Sequence, residues 1–257
     1  MDRAGFSAQC RSIMTRFFIR PDQIASGLVT LDSDDAHHLR VVLHAQPGQK
    51  IAVLDGSGQE WSATLAEVGK TQAMARLGEP FWPLTEPSIK ITVAQALPKV
   101  AEKMEQVLQR GTEIGATGFW AFASERSLTH LTGERHEKRL GRWQAIIKTA
   151  AEQSHRAILP TLQISGGFTD VLKGAKDYDL ALLAYEEEHE RSLRAALSDA
   201  PMSKRILIII GPESGLTAHE AAAARRSGVQ PISLGPRTLR TETAAMVMAA
   251  QILFALE

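Results

Sequence analysis

A chain of 257 residues with 44% hydrophobic content holds enough apolar material for one large or two ordinary globular domains. Its 29 Lys+Arg balance 29 Asp+Glu, so no overall basic excess marks a nucleic-acid surface, and any such surface must be a local patch. The single cysteine, Cys10, excludes a disulfide framework and a cysteine-based zinc site and suits a reducing, cytoplasmic setting; no apolar run reaches membrane-spanning length, and the opening MDRAGFSAQCRSIM lacks an apolar signal core, so residues 1–15 read as a leader.

Residues 16–80 read as a small β domain. The runs IAVLD (51–55), EWSATLAEV (60–68) and TQAMARL (71–77) are separated by Pro47-Gly48, Gly56-Ser57-Gly58 and Gly69-Lys70, a spacing that suggests a compact barrel-like unit. Asp32 to His38 looks like a helix start, with Asp34 and Asp35 in the first turn where acids favour the helix dipole. Gly69-Lys70-Thr71 mimics the end of a phosphate loop, but Thr64 stands where the leading glycine belongs and no strand–loop–helix surrounds it. Gly56-Ser57-Gly58 has Trp61 where a dinucleotide fingerprint has its third glycine. His37-His38 lack further ligands at metal-binding spacing, so no metal is expected.

Pro80, Pro83 and Pro87 mark a stiff connection, with the linker placed at 81–88. From 89 to 257 strands and helices alternate. IKITVAQAL (89–97) reads as a strand, and Lys99 to Ile114 as a helix with Val100, Met104, Val107, Leu108 and Ile114 on one face. GFWAFA (118–123) is a strand, Glu134 to Gln153 a helix, and Pro160 to Ile164 a short strand. Phe168 to Ala175 is helical, Leu180 to Ala184 a strand, and His189 to Leu197 a helix. This alternation predicts an α/β domain, a mainly parallel sheet with helices on both faces.

Two further units close the chain. Ile206 to Ile210 is a continuous apolar run, as expected of a strand covered on both faces, and it stops at Gly211-Pro212. Thr217-Ala218-His219-Glu220 fits a capping box before a helix. A second strand, Pro231 to Leu234, ends at Gly235-Pro236, and the last helix begins near Thr241. Gly211, Gly215 and Gly235 leave backbone open to a ligand, and two such turns at one end of a parallel sheet form a crevice. Each turn alone also reads as an ordinary connection of common composition.

GPESG (211–215), LGPRTLRTETA (234–244), AAEQSHR (150–156), QALPKVAEKMEQVLQRGTEIGA (95–116), RFFIR and HHLRVVLHAQPGQ together resemble the RsmE family of SPOUT-class RNA methyltransferases, in order and over about residues 15–257. Three positions depart from the family pattern: Ser214 replaces Gly, His44 replaces Arg, and Lys99-Val100 replaces Lys-Gly. The resemblance implies a PUA-like RNA-binding domain at 16–80 and a SPOUT domain at 89–257, with a trefoil knot that forms a homodimer interface. It implies methylation by S-adenosylmethionine of N3 of a uridine in 16S rRNA, in the assembled small ribosomal subunit. The implied cofactor site is Leu183, Tyr185, Gly211, Pro212, Glu213, Gly215, Leu234, Gly235, Leu239, Arg240 and Thr241. The end of the preceding strand, Leu183 to Glu186, then sits beside it, although a solvated acidic cluster is the plainer account of Glu186-Glu187-Glu188.

Uracil N3 carries a proton and is a poor nucleophile until that proton leaves. The planar guanidinium of Arg240 would stabilise the resulting anion, and Glu242 would orient Arg240, accept the proton, or serve only the helix dipole. RNA contacts are expected from Arg16, Arg20, Arg40 and His44. A second set lies in 126–156, where Arg126, Arg135, Lys138, Arg139, Arg142, Lys148 and Arg156 outnumber Glu134, Glu137 and Glu152 around Trp143. A solvated amphipathic helix accounts for the same segment. Two rivals stand beside the methyltransferase. One is a serine hydrolase using Ser214, although Pro212 and Gly215 break the Gly-x-Ser-x-Gly spacing. The other is a non-catalytic RNA-binding protein, which cofactor titration separates.

Overall fold

Six strands make the N-terminal sheet of the computed structural model, which describes residues 14–127 and 134–257. They are β1 (Arg16–Phe18), β2 (Ile24–Ala25), β3 (Leu28–Leu31), β4 (Lys50–Leu54), β5 (Glu60–Val68) and β6 (Ala73–Phe81), in the order β1-β4-β5-β6-β3-β2. β1 runs parallel to β4 and the other pairs are antiparallel. Phe17, Val29, Leu31, Ile51, Val53, Ala63, Leu65, Ala73 and Ala75 alternate inward to one core with Ala36 and Leu39. Residues of β1 and β3, far apart in strand order, share that core, so the sheet wraps around it. Register shifts at Trp61/Ala63 and Leu65/Glu67 supply local bends. The leader residues before Met14, Cys10 among them, and the side chain of Arg135 lie outside the described residues.

Asp32 caps the helix Ser33–His37 by accepting from the amides of Asp34 and Asp35, both at 3.1 Å. A π-helical turn, His38–Val42, follows and leaves Val41, Val42 and Leu43 exposed. β6 is longer than its apolar run. Pro80 is accommodated because it faces Trp61 of β5 beyond the stretch paired with β3, so its missing N–H breaks no second ladder.

The chain divides into two units, and the first takes in Ala151–Leu159 as well as residues up to Glu86. Glu86 gathers that segment. Its carboxylate accepts from Arg156 Nη2 at 2.6 Å, Ala157 N at 2.8 Å and Ile158 N at 3.1 Å. Phe18, Leu54, Ala151 and Ala157 pack together beside it.

The second unit, Pro87–Ala150 with Pro160–Glu257, is built on β7 (Lys90–Ala96), β8 (Gly118–Phe122), β9 (Thr161–Ile164), β10 (Leu180–Ala184), β11 (Arg205–Ile210) and β12 (Gln230–Ile232). The order is β12-β10-β11-β7-β8-β9, parallel throughout. Side-chain alternation explains the unbroken apolar runs. Ile206, Ile208 and Ile210 face one core with helices Ala101–Ile114, Glu134–Gln153, Leu193–Asp199 and Thr241–Leu256. Leu207 and Ile209 face the other with helices Phe168–Gly174 and Ala218–Arg226.

Three expectations are corrected here. Val100 caps the Ala101–Ile114 helix from outside and is exposed, so the buried face begins at Met104. Trp143 is buried in the first of these cores and is no part of a basic surface. The helix expected from His189 starts at Leu193, because Ser192 Oγ accepts from Ala195 N at 3.2 Å and Glu188 folds Glu190 and Arg191 into a turn. Among the described residues, no helix is long and apolar enough to cross a membrane.

Candidate active site

β7 leads to β8 and β9 on one side, while β11, β10 and β12 lie on the other, and crevices form at the strand ends near such a reversal. Here the segments after β10, β11 and β12 surround a cavity of about 740 Å³. Tyr185, Gly211, Pro212, Glu213, Gly215, Leu234, Gly235, Leu239, Arg240 and Thr241 all line it. Leu183 does not: β10 alternation turns it into the core with Ile209, where it is fully buried. Glu186, expected beside the cofactor, lines the cavity too, while the sequence reading missed Lys103, His189 and Arg237, which also line it. Their signal is only spatial, since nothing in a lysine-bearing helix announces a partner more than a hundred residues away.

The turn after β11 is held from several directions. Glu213 accepts from Lys99 N at 3.0 Å and pairs with Lys103 Nζ at 2.9 Å. Burial pushes the Glu213 carboxyl up, but Lys103 and the Lys99 amide outweigh it and hold the group below the usual carboxylate range. Arg126 Nη1 donates to Ser214 O at 2.8 Å, and Ser214 Oγ donates to Arg126 O at 3.4 Å. Glu220 closes the capping box by accepting from Thr217 N at 2.8 Å, and its other oxygen accepts from Glu125 N at 2.9 Å. Gly215 has φ +69°, and a side chain there would collide with the Glu186 carboxylate. A Cβ on Gly211 would press against Leu216 at 3.2 Å, so that glycine serves the turn itself. Gly235, at φ +113°, faces open space instead.

Tyr185 is anchored, its hydroxyl donating to Glu187 at 2.8 Å; burial and that acid push its pKa up. Arg240 occupies the N-cap of the last helix in extended conformation. Its side chain is exposed and makes no hydrogen bond or ion pair among the described residues. Glu242 is corrected: it is buried in the first helical turn, does not line the cavity, and its Oε2 has no partner among the described residues. It can contribute to the helix dipole, but it is not placed to orient Arg240 or to take a proton from the cavity.

The expected RNA contacts separate by burial. Arg16 is corrected: it is buried, with Nη1 2.6 Å from the fully buried Glu60. Arg156 is likewise buried against Glu86. Arg20 is exposed beside Asp22 at 3.3 Å, and Arg142 is exposed but paired with Glu105 at 2.7 Å. Arg40 and His44 are exposed, and Arg139 is half-buried. Arg126 is exposed but engaged with Ser214. Among the described residues no base stands by Ser214: its hydroxyl donates to the Arg126 carbonyl, while His219 pairs with Glu125 at 2.9 Å. Among the described residues, no cluster of His, Cys, Asp and Glu could hold a metal ion.

Comparison with known proteins places this geometry in context. Residues 85–253 match the model of the RNA methyltransferase domain and residues 31–77 that of the RNA methyltransferase PUA domain. The chain is 36% identical over 240 residues to a ribosomal RNA small subunit methyltransferase E of Synechocystis, covering 92% of this chain and 76% of that one. Against the protein of the same name from Bacillus subtilis it is 32% identical, covering 95% and 98%. Among solved structures, the Neisseria gonorrhoeae ribosomal RNA small subunit methyltransferase E bound to S-adenosyl methionine aligns at TM-score 0.82 and 31% identity, covering 94% of this chain and 97% of that one. A Legionella pneumophila protein in complex with the cofactor SAM aligns at TM-score 0.86 and 28% identity, covering 94% and 98%. With a PUA unit, a parallel methyltransferase sheet and whole-length similarity at this level, the chain belongs to the ribosomal RNA small subunit methyltransferase E family of RNA methyltransferases.

Proposed function

We propose that the chain transfers a methyl group from S-adenosylmethionine to N3 of a uridine in 16S rRNA, with the assembled small ribosomal subunit as substrate. The observation that carries this is the cavity beyond β10, β11 and β12, which joins open glycine-bearing backbone to an unpaired arginine. Its volume lies in the ordinary range for small-molecule sites, roughly 300–1,000 Å³. The residues fit the cofactor: Leu234, Leu239 and Ala244 offer apolar surface, Gly235 leaves the main chain uncovered, and the Glu186 carboxylate suits a cationic ligand. Two relatives at 31% and 28% identity carry that cofactor, which supports the same use here.

S-adenosylmethionine supplies an electrophilic methyl group on a positively charged sulfur. This chain must hold the uracil and stabilise its anion. Charge released at N3 spreads to the two flanking carbonyl oxygens, and the free Arg240 guanidinium can donate to one of them. Glu186 and His189, exposed in the same lining, are the acceptors available for the proton in place of Glu242. The family's trefoil knot and homodimer belong to this reading, with the exposed Phe254 of the last helix available to a second copy.

Nucleoside mass spectrometry of rRNA from cells with and without the protein tests the substrate. N3-methyluridine should disappear in its absence, and unchanged content refutes the assignment. Calorimetry with S-adenosylmethionine tests the cofactor, and no binding would favour an RNA-binding protein without catalysis.

A further inference from the structure

We infer that Gln95 is a positioning residue of the methyl-transfer site: its carboxamide ties the turn after β11 to the start of the last helix, and so sets where Arg240 stands. This rests on reading the cavity as the cofactor site. Gln95 lies in β7, in register with Ile210 of β11 and Ala121 of β8, and is 0% exposed within the otherwise apolar run VAQA. A buried carboxamide is unfavourable unless hydrogen-bonded, and an aliphatic residue would fill the same space at less cost. Its Nε2 donates to Ala96 O at 2.9 Å and to Thr241 Oγ1 at 2.9 Å, with Gly211 O at 3.3 Å.

The amide orientation is determined by these partners. Ala96 and Gly211 present carbonyls, which only accept, so the NH2 group must face them. Thr241 in turn donates its hydroxyl proton to Gly211 O at 2.6 Å, leaving its lone pairs for Gln95. Gln95, Thr241 and Gly211 thus close a triangle between three elements. Gly211 opens one cavity turn, and Thr241 directly follows Arg240. Gln95 itself does not line the cavity, so it acts through these two neighbours. Its Oε1 is buried without a partner among the described residues, so the amide is retained despite incomplete satisfaction there, a compromise that functional sites tolerate better than plain cores.

The test uses the full chain with Gln95→Leu, Thr241→Val and the double variant. Calorimetry reads S-adenosylmethionine affinity, steady-state kinetics reads KM for cofactor and for RNA separately, and thermal unfolding checks the fold. Each single variant should bind the cofactor about tenfold more weakly, the scale of one lost buried hydrogen bond. Cofactor KM should rise while RNA KM stays, and the double variant should lose less than the product of the two singles, because both remove the Gln95–Thr241 bond although each also breaks a bond of its own to Gly211. Folded variants with unchanged affinity and turnover, or losses that multiply, overturn the inference. If Gln95→Leu does not fold, Thr241→Val, which keeps the side-chain shape, reads the same bond. Failure of the unaltered chain to bind S-adenosylmethionine is a distinct result, and it overturns the cofactor reading on which the inference stands.

Discussion

Arg16 and Arg240 begin as equals in the sequence, two arginines offered for binding RNA and for chemistry, and burial divides them. Arg16 meets Glu60 inside the N-terminal unit, 44 positions along the chain, and nothing in RFFIR points to that partner. Breaking one side of a buried pair strands the other charge, which costs about 3–5 kcal/mol. Arg16→Ala should therefore shift chemical denaturation of the N-terminal unit by that order, whereas Arg16→Met with Glu60→Leu should recover much of it. A surface role for Arg16 would give a shift below about 1 kcal/mol instead. Arg240 has no partner to lose among the described residues. Arg240→Ala should keep S-adenosylmethionine affinity while slowing single-turnover methylation about a hundredfold, the scale of one transition-state donor. A full rate at saturating RNA and cofactor would remove Arg240 from the mechanism. The glycine positions sharpen the same contrast. Gly235→Val tests space the ligand would use, but Gly211→Val would press on Leu216 and disturb the turn itself.

Elements were legible wherever their determinants lie close together in sequence. The Thr217–Glu220 box is such a case, with both partners three residues apart and the helix start found where expected. The continuous run of β11 reported two covered faces, and both covers are present. Legibility failed at Leu193, where Ser192 and Glu188 compete for the helix start, and at Leu183, whose side of the sheet depends on register rather than composition. The Gln95 bond to the last helix spans 146 positions, and only an amide in an apolar strand hinted at it. Two outcomes test the turn after β11 at this level. Thr217→Ala should cost about 1 kcal/mol by loss of the cap, read by thermal or urea unfolding. The pH response has a definite sign. Glu213 has a lowered pKa when folded, so its stabilisation is complete above the ordinary carboxylate range and fades as the pH falls through the lowered value. Lys103→Met should let that pKa climb, so the variant is less stable near neutral pH and loses less stability than the unaltered chain as the pH falls through the carboxylate range; superimposable pH–stability curves would deny the Lys103–Glu213 link.

For the whole molecule, zero net charge and an RNA substrate can coexist only if cations are left free in places. Pairing inside each unit consumes many of them. Arg16, Arg20 and Arg142 face acids, Arg126 serves the turn at Ser214, and Arg156 belongs to Glu86. That last pairing draws Ala151–Leu159 into the first unit, a tertiary choice that a linear division at the proline-rich linker could not reveal. Among the described residues, Arg40, exposed near the π-helical turn, and Lys138 and Arg139 on the long helix are expected cations that show no ion pair. On the proposed function, RNA affinity should fall with salt, with a log–log slope near 0.9 per neutralised phosphate on duplex and nearer 0.7 on single strands. Arg40→Ala with Arg139→Ala should flatten that slope by about one to two such contacts and weaken binding similarly for different RNA sequences, because phosphate contacts do not read bases. Arg142→Ala should change the slope less, since Glu105 already pairs with that cation and leaves it little part in neutralising phosphate. An unchanged slope in the double variant, with affinity intact, would move the RNA path away from both residues.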